Sequence, residues 1–214
     1  MNKKFKVTFL LDNKNLWCEK YLRKHNFNLN KKYFFKISKN ANKIKKQNIV
    51  IPLNYTKILP QSFLSINELV LIAHASKLPK DKGFAPVQNQ ILKNKKKIFV
   101  TLLKAVDEVD SGPIFFQNYF LLNGTELSKE IRYKQIQAMF KIIKKFLTMY
   151  PNVKSTKQLS KGNFNKRRKK KDSKINLNKS IKSQFNLLRI SDNDQYPSYF
   201  NYLGQKYIIK IFNN

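Results

Sequence analysis

The chain has 214 residues, of which 42% are hydrophobic and 13% aromatic, so it can bury the core of one α/β domain, and wholesale disorder is excluded. Its formal net charge is +32. The lysines are spread along the whole chain among many Asn and Ile residues instead of forming one stripe. We therefore expect no specific nucleic-acid partner, although the charge should attract phosphate-bearing ligands.

Cysteine content and hydropathy point to the reducing interior of a cell. Cys18 is the only cysteine, which excludes an intramolecular disulfide. The N-terminus lacks a small-residue cleavage site, and the longest apolar run, residues 69–73, is too short to span a bilayer. We expect a cytoplasmic protein without membrane association. One cysteine and two distant histidines predict no metal site.

The first half of the chain predicts strands that alternate with helices. Apolar runs at 6–11, 33–37, 49–53 and 69–73 are typical of strands, and residues 15–24 and 58–64 have helical spacing. A helix at 86–92, strands at 98–105 and 113–122 and a long helix at 126–149 follow. This alternation favours an α/β fold with a Rossmann-like, mostly parallel sheet.

The composition changes after Pro151. We assign residues 1–151 to the main domain, residues 152–180 to a basic linker and residues 181–214 to a small C-terminal extension. The extension should consist of a helix at 181–189 and a hairpin formed by residues 199–202 and 206–212.

The two histidines have different surroundings. His25 lies among polar residues at the end of a predicted helix and is expected to be solvated. His74 directly follows the apolar strand at 69–73, and open α/β sheets place their ligand crevice at the carboxyl ends of strands. His74 is therefore either a catalytic residue or a strand-end histidine that hydrogen-bonds its own loop.

Only 12 residues are acidic, yet Asp107, Glu108 and Asp110 fall together before Ser111 and Gly112. This cluster is either a simple turn or a source of a carboxylate for a histidine. Asp110 can orient His74 if their strands are neighbours.

The stretches around these residues resemble the folate-dependent formyltransferases. His74-Ala75-Ser76-Lys77-Leu78-Pro79, with the following Gly83, is similar to one signature of that family, and Val109-Asp110-Ser111-Gly112-Pro113-Ile114 is similar to a second. Asn54-Tyr55-Thr56-Lys57-Ile58-Leu59-Pro60 resembles the folate-side loop. The resemblance covers residues 49–150 well and residues 1–48 loosely. The tail from Phe185 to Phe200 resembles that of a subgroup that formylates nucleotide-linked amino sugars.

The resemblance implies a formyltransferase fold with a catalytic domain at 1–151, and N10-formyltetrahydrofolate as the formyl donor. It implies an amino-sugar nucleotide or a similar amine as acceptor, and a homodimer is an open expectation. The residues implied to be catalytic are His74 and Asp110. Those implied to bind the folate are Tyr55, Ile58, Leu59 and Asp107. Those implied to bind the acceptor are Ser76, Lys82 and Gly83.

One position departs from the family pattern. Ile72 stands where the family has an Asn two residues before the histidine, and Ile cannot donate a hydrogen bond to a formyl oxygen. Either Ser76 or a backbone N–H replaces that donor, or turnover is impaired.

Three alternatives remain open at this stage. A formyltransferase of initiator tRNA shares the catalytic domain and suits the charge, but 63 residues after Pro151 are few for a separate tRNA-binding domain. A catalytically decayed relative would explain Ile72. A basic nucleic-acid-binding protein would rest on charge alone.

Overall fold

A six-stranded sheet forms the centre of the computed structural model, which describes residues 4–13, 16–25, 27, 29 and 32–213. The strands are β1 Phe5–Leu11, β2 Tyr33–Ser38, β3 Ile49–Leu53, β4 Leu69–His74, β5 Lys82–Gly83, β6 Lys97–Lys104, β7 Ile114–Leu121, β8 Phe164–Asn165, β9 Ser198–Tyr202 and β10 Gln205–Ile209. The helices are α1 Glu19–Lys24, α2 Gln61–Ile66, α3 Pro86–Leu92, α4 Ser128–Met149 and α5 Ile181–Arg189.

The order of strands in the large sheet is β2-β1-β3-β4-β6-β7. The first four strands pair in parallel, and β6 and β7 continue the sheet in antiparallel pairing from β4. The predicted Rossmann-like, mostly parallel α/β fold is therefore confirmed. The antiparallel pairing of β4 with β6 brings the loop after β6 back along β4, where the N–H of Ala105 donates to the carbonyl of Val70 at 2.8 Å.

Helices cover both faces of the sheet, and strand alternation determines which residues meet them. Val7, Phe9 and Leu11 belong to the core cluster that includes the buried side of α4. Leu10 points to the opposite face and joins the cluster around Phe63 of α2. The same alternation operates in β4, where Leu71 and Ala73 contribute to the α4 side and Val70 to the α2 side. His74, four residues after Val70, therefore lies on the α2 side.

The C-terminal extension docks on the main domain through a buried ion pair and an apolar contact. Arg189 of α5 lies 3.6 Å from the carboxylate of Glu126, and the side chains of both residues are buried. Ile190 joins the core cluster that contains α4, and Arg132 of α4 pairs with Asp192 at 2.6 Å. These contacts fix the extension to α4.

Short elements in the stretch predicted as a linker contact the main domain. β8 pairs in parallel with β5, and the isolated bridge between Ile114 and Thr156 extends the edge of the large sheet. The domain boundaries at residues 151 and 180 stay a prediction. Within the described ranges, no helix combines the length and the apolar character that a membrane span requires.

The first helix and His25 differ from what the sequence predicted. The helix predicted at 15–24 is realised as a 3-10 turn at Leu16–Cys18 followed by α1, and Asn15 lies outside the described residues. His25 follows α1, but its ring packs against Phe27 and Phe140 with centroid distances of 4.6 and 4.5 Å. The expectation of a solvated ring is therefore wrong, and burial, together with the charge of Lys144, lowers the pKa of His25.

Candidate active site

His74 is the last residue of β4, and its ring is held at both nitrogens. Nδ1 lies 3.3 Å from Oδ2 of Asp110, and Nε2 lies 2.9 Å from the backbone carbonyl of Asp81. Both side chains of the His74–Asp110 pair are 7% exposed. The sequence left two readings for His74, and the structure shows both contacts at once: a neighbouring carboxylate and a carbonyl of the following loop.

Asp110 occupies a turn whose backbone is fixed on several sides. Its φ of 56° places it in the left-handed region, which Asp tolerates better than most residues. Its Oδ2 accepts the N–H of Gly83 at 2.8 Å. The amide nitrogen of Gln158 donates to the carbonyls of Asp110 and Gly112 at 2.9 and 2.7 Å. The carboxylate that faces His74 is therefore anchored from β5 and from the segment after α4.

The loop between β4 and β5 is stabilised by contacts through Thr101 of β6. Its hydroxyl donates to the carbonyl of Ser76 at 2.6 Å, and the amide of Gln117 donates to the Leu78 carbonyl at 3.0 Å. Thr101 is directly opposite His74 in the sheet. Neighbouring strands thus fix the start of the loop that carries the Asp81 carbonyl.

A cavity of about 370 Å³ opens on the same side of β4 as His74. Val70 lines it from β4, Leu64 from α2, and Ala105, Val106 and Asp107 from the loop after β6. Since alternate residues of a strand share a face, Ile72 lies between Val70 at the cavity and His74. The lining is mixed, because polar side chains complete it: Gln61, Ser65, Asn67, Glu68 and Lys104.

The predicted folate residues are not all brought together. Asp107 lines the cavity. Tyr55 and Leu59 are half-buried and pack on the cluster around Phe63, and neither lines the cavity. Burial, followed by the charge of Asp12, raises the pKa of Tyr55. The side chain of Ile58 is 71% exposed and is absent from the cavity lining. Roles in folate binding stay a prediction for all four.

The three residues predicted to bind the acceptor belong to the framework of the site in this structure. Ser76 is fully buried, and its hydroxyl donates to the carbonyl of Lys80 at 2.8 Å. Lys82 is also buried, with its ammonium 2.7 Å from the hydroxyl of Ser111. The N–H of Gly83 donates a hydrogen bond to the carboxylate of Asp110. A contact of these groups with an acceptor stays a prediction and would require the loop to open.

A second group of contacts at the carboxyl ends of β1 and β3 was missed by sequence reasoning. Buried Asp12 accepts hydrogen bonds from the N–H and the hydroxyl of Thr56. Arg167 donates to the carbonyl of Thr56 at 2.9 Å, and its guanidinium lies 4.3 Å from the ring centroid of Phe84. The position of Asp12 after an apolar strand, in a chain poor in acids, was a signal for this group. Nothing in the sequence pairs Arg167 with it.

Comparisons with known proteins agree with this architecture. The family described as formyl transferase matches residues 7–143. A methionyl-tRNA formyltransferase of Thermodesulfovibrio yellowstonii is 32% identical over 148 residues, which cover 65% of this chain and 46% of that protein. The bifunctional polymyxin resistance protein ArnA of Wigglesworthia glossinidia brevipalpis is 30% identical over 168 residues, covering 77% of this chain and 26% of that protein. The aligned regions thus cover less than half of either relative.

Solved structures share the fold over almost the whole chain. Methionyl-tRNA formyltransferase from Clostridium thermocellum superposes with a TM-score of 0.81 at 21% identity, covering 94% of this chain and 90% of that chain. A sugar N-formyltransferase from Shewanella sp FDAARGOS_354 gives 0.72 at 20% identity and covers 97% of both chains. HypX from Aquifex aeolicus in complex with tetrahydrofolic acid gives 0.68 at 18% identity, covering 98% of this chain and 38% of that chain. Because the family match includes most of the sheet, His74 and Asp110, the chain belongs to the formyl transferase family.

Proposed function

We propose that this protein transfers a formyl group from N10-formyltetrahydrofolate to a primary amine, with His74 and Asp110 at the reaction centre. The observation that carries the proposal is the contact between Nδ1 of His74 and Oδ2 of Asp110, which is buried on the face of β4 that also carries the cavity. A buried imidazole–carboxylate pair is suited to proton transfer during group transfer. The cavity opens at Val70, four residues before His74, so a ligand bound there would extend along β4 to reach the pair.

The cavity suits the pteridine of a folate. A fused, flat ring system with amide-like edges needs apolar walls and a few polar groups that fix its orientation. The apolar part of the lining consists of Leu64, Val70, Ala105 and Val106. Asp107 and Asn67 are among the polar side chains that can contact the edges of the ring system. When bound there, the co-substrate would supply the formyl carbon that the amine attacks and would leave as tetrahydrofolate. HypX from Aquifex aeolicus, which shares this fold, was solved in complex with tetrahydrofolic acid, and this supports a folate as the ligand.

The residues of the pair have distinct roles. As the new C–N bond forms, the amine must lose a proton, and the imidazole of His74 can take it while its Nδ1 is held 3.3 Å from Oδ2 of Asp110. Asp110 stabilises the protonated ring because a carboxylate next to an imidazolium is a favourable charge pair. Proton transfer of this kind typically contributes about 10²–10⁴-fold to the rate.

For the acceptor, we propose an amino sugar that is nucleotide-linked. The net charge of +32 and the basic residues after α4 suit a phosphate-bearing substrate. The tail resembles that of the sugar-formylating subgroup, and the sugar N-formyltransferase of Shewanella sp FDAARGOS_354 shares the fold over 97% of both chains. The amine of charged initiator tRNA is the second candidate, because the relative from Thermodesulfovibrio yellowstonii bears the name methionyl-tRNA formyltransferase.

One assay tests the reaction and distinguishes the acceptors. Purified protein is incubated with N10-formyltetrahydrofolate and either a panel of nucleotide-linked amino sugars or charged initiator tRNA, and formylated product is measured by mass spectrometry. We expect product with at least one amino sugar and none with the tRNA. Product with the tRNA alone would assign the second candidate, and no product with any acceptor would contradict formyl transfer.

A further inference from the structure

The Asp81 carbonyl fixes one end of the His74 ring, so the contacts that hold Asp81 bear directly on the reaction centre. Asp81 is 4% exposed, with a φ of 58°. Its carboxylate forms ion pairs with the ammonium groups of Lys93 and Lys95, at N–O distances of 3.0 and 3.3 Å. Burial by itself would raise the pKa of Asp81, but hydrogen bonds from Lys93 and Asn163 and the charges of Lys95 and Lys93 lower it to about 2. The carboxylate is therefore a fixed anion around which the loop is built.

Asn163 binds both the backbone and the side chain of Asp81. Its Oδ1 accepts the N–H of Asp81 at 2.9 Å, and its Nδ2 donates to Oδ1 of Asp81 at 3.2 Å. Its own carbonyl accepts the N–H of Lys82 at 3.0 Å. One residue thus makes three hydrogen bonds to two successive residues of the loop, which fixes the direction of the peptide that carries the Asp81 carbonyl.

The segment that carries Asn163 is held closely against the loop. A Cβ on Gly162 would lie 1.8 Å from the carbonyl of Pro79, and the φ of Gly162 is +65°. On the other side, β8 pairs with β5, and the N–H of Phe84 donates to the carbonyl of Asn165 at 3.0 Å. Asn163 therefore has little freedom to move away from Asp81.

The state of the His74 ring depends on this arrangement because a neutral imidazole carries one N–H for two acceptors. The carboxylate of Asp110 is the stronger acceptor and takes the N–H of Nδ1, which leaves the lone pair on Nε2 to take the proton of the amine. Once Nε2 carries that proton, the Asp81 carbonyl, 2.9 Å away, is placed to accept it in a hydrogen bond.

We propose that Asn163 is a positioning residue for His74: through Asp81 it holds a backbone carbonyl against Nε2, which fixes the ring and accepts the N–H that Nε2 gains when it takes the proton of the amine. Asn163 lies after residue 143, where the family match ends. The catalytic consequence rests on the proposed function, whereas the effect on the ring does not.

The direct test is ¹⁵N nuclear magnetic resonance of the full chain labelled at histidine. The chain has two histidines, so His25, which packs on Phe27 and Phe140, serves as an internal control. In Asn163→Ala we expect the Nε2 signal of His74 to shift as its contact with the Asp81 carbonyl loosens, while the signals of His25 stay in place. Lys161→Ala, an exposed change two residues away, should leave both unchanged. Unchanged His74 signals in a folded Asn163→Ala protein would overturn the proposal.

A side-chain exchange provides the second test. Asn163→Asp places two carboxylates against each other and should shift the His74 signals and lower kcat by about 10-fold or more, since small misplacements of reacting groups have effects of this order. The double variant Asp81→Asn with Asn163→Asp restores one amide and one carboxylate across the contact, and we expect it to recover most of the kcat and the His74 signals of the wild type. A double variant no better than Asn163→Asp would overturn the proposal.

The two tests separate this inference from the function itself. If the wild type forms no formylated product but the His74 signals respond to Asn163 as described, the positioning is supported and the proposed reaction is not. If the wild type is active and neither the His74 signals nor kcat responds to Asn163, the positioning is wrong and the reaction stands.

Discussion

The backbone N–H of Gly83 donates to Oδ2 of Asp110 at 2.8 Å, the same oxygen that faces Nδ1 of His74. Gly83 has a φ of +84°, and a Cβ there would lie 2.6 Å from the carbonyl of Asn165 and 2.7 Å from the ring of Phe164. The absence of a side chain at this position therefore lets β8 approach β5 while the N–H of Gly83 reaches the carboxylate.

Gly83→Ala should separate β5 from β8 and withdraw the hydrogen bond from Asp110. Gly124→Ala is a matched control, because Gly124 also has a positive φ, of +110°, but nothing within 4 Å of its Cβ position. We expect both variants to lose about 1 kcal/mol of stability through the backbone conformation. Only Gly83→Ala should lose more than this and also lower kcat. Equal losses in the two variants, measured by urea unfolding and by the formyl-transfer assay, would contradict the role of the close approach.

His74→Ala should lower kcat by about 10²–10⁴-fold, because it removes the proposed proton acceptor. Asp110→Asn keeps an oxygen for the N–H of Gly83 but removes the charge beside the imidazole, so a loss of similar size is expected. If the residues act as one unit, the double variant should be hardly slower than the slower single variant. Wild-type rates in both single variants would exclude this pair as the reaction centre.

Binding of the folate should survive these changes. Neither His74 nor Asp110 lines the cavity between α2 and the loop after β6. Calorimetry with tetrahydrofolate should therefore give similar dissociation constants for wild type, His74→Ala and Asp110→Asn. A loss of binding that parallels the loss of rate would indicate instead that the pair holds the co-substrate.

The consequence of Ile72 is clearer from the structure than from the sequence. The sequence left Ser76 as a replacement for the missing donor, but its hydroxyl is buried and bonded to the carbonyl of Lys80. The ammonium of Lys82 is likewise bonded, to Ser111. Ile72 is half-buried on the face shared by Val70 and His74, so an amide there would lie between the cavity and the imidazole.

We therefore expect Ile72→Asn to raise kcat, since a donor aimed at an oxygen that gains charge is typically worth about 10²–10³-fold. The added polar group should cost on the order of 1 kcal/mol of stability. Ile72→Leu, which changes shape without adding a donor, should leave kcat near the wild-type value. An Ile72→Asn rate at or below that of wild type would show that a backbone group already serves the formyl oxygen.

Local patterns were sufficient to predict most elements of this fold. The apolar runs predicted β1, β3 and β4, and helical spacing gave the limits of α3 and α5. The acidic cluster and the strand-end histidine suggested the pairing of His74 with Asp110, which lie 3.3 Å apart, and the resemblance to a family supported it. These features depend on residues that are neighbours in sequence or on an ordered pair of motifs.

Contacts made across long separations could not be predicted in this way. Asn163 contacts Asp81 although the two residues are 82 positions apart in the sequence. The segment around Asn163 lacks the alternating apolar pattern that predicts a strand of the sheet. Ser76 and Lys82 were assigned to an acceptor because their loop resembles a signature, whereas the structure shows both buried in the framework. The polarity of a residue indicates that it needs a partner, but the partner is determined by tertiary packing.

Cys18 should be unreactive in the native protein. It is fully buried, its thiol lies 3.8 Å from the carbonyl of Leu53, and burial raises its pKa to about 11. Because the thiolate is the reactive form, little of it exists at pH 8 in the folded state. A disulfide-exchange reagent should label the thiol slowly at this pH and rapidly in denaturant, and equal rates would show that the N-terminal region opens readily.

Acid should destabilise the fold through Asp81 and Glu126. Hydrogen bonds from Lys93 and Asn163 outweigh burial at Asp81 and lower its pKa from 3.8 to about 2. Burial likewise opposes the shift at Glu126, where hydrogen bonds from Lys134 and from the backbone of Asn123, Glu126 and Gly124 lower the pKa from 4.5 to about 2. A carboxyl whose pKa is lower in the folded state stabilises that state at pH values above its unfolded pKa, and the contribution is lost as the pH falls through the folded pKa. We therefore expect stability to fall between about pH 4.5 and pH 2, by on the order of 2 kcal/mol for each group.

Urea unfolding of the wild type and of Asp81→Asn across this pH range isolates one of the two contributions. The variant has no titrating group at position 81, so its deficit in unfolding free energy should be largest above about pH 4 and should shrink toward pH 2, where Asp81 of the wild type becomes protonated. Glu126→Gln should behave in the same way, with its deficit beginning to shrink at a slightly higher pH because the unfolded pKa of Glu is higher. Deficits that remain constant from neutral pH to pH 2 would mean that the two carboxyls stabilise the fold by packing and hydrogen bonding alone and not through their charge.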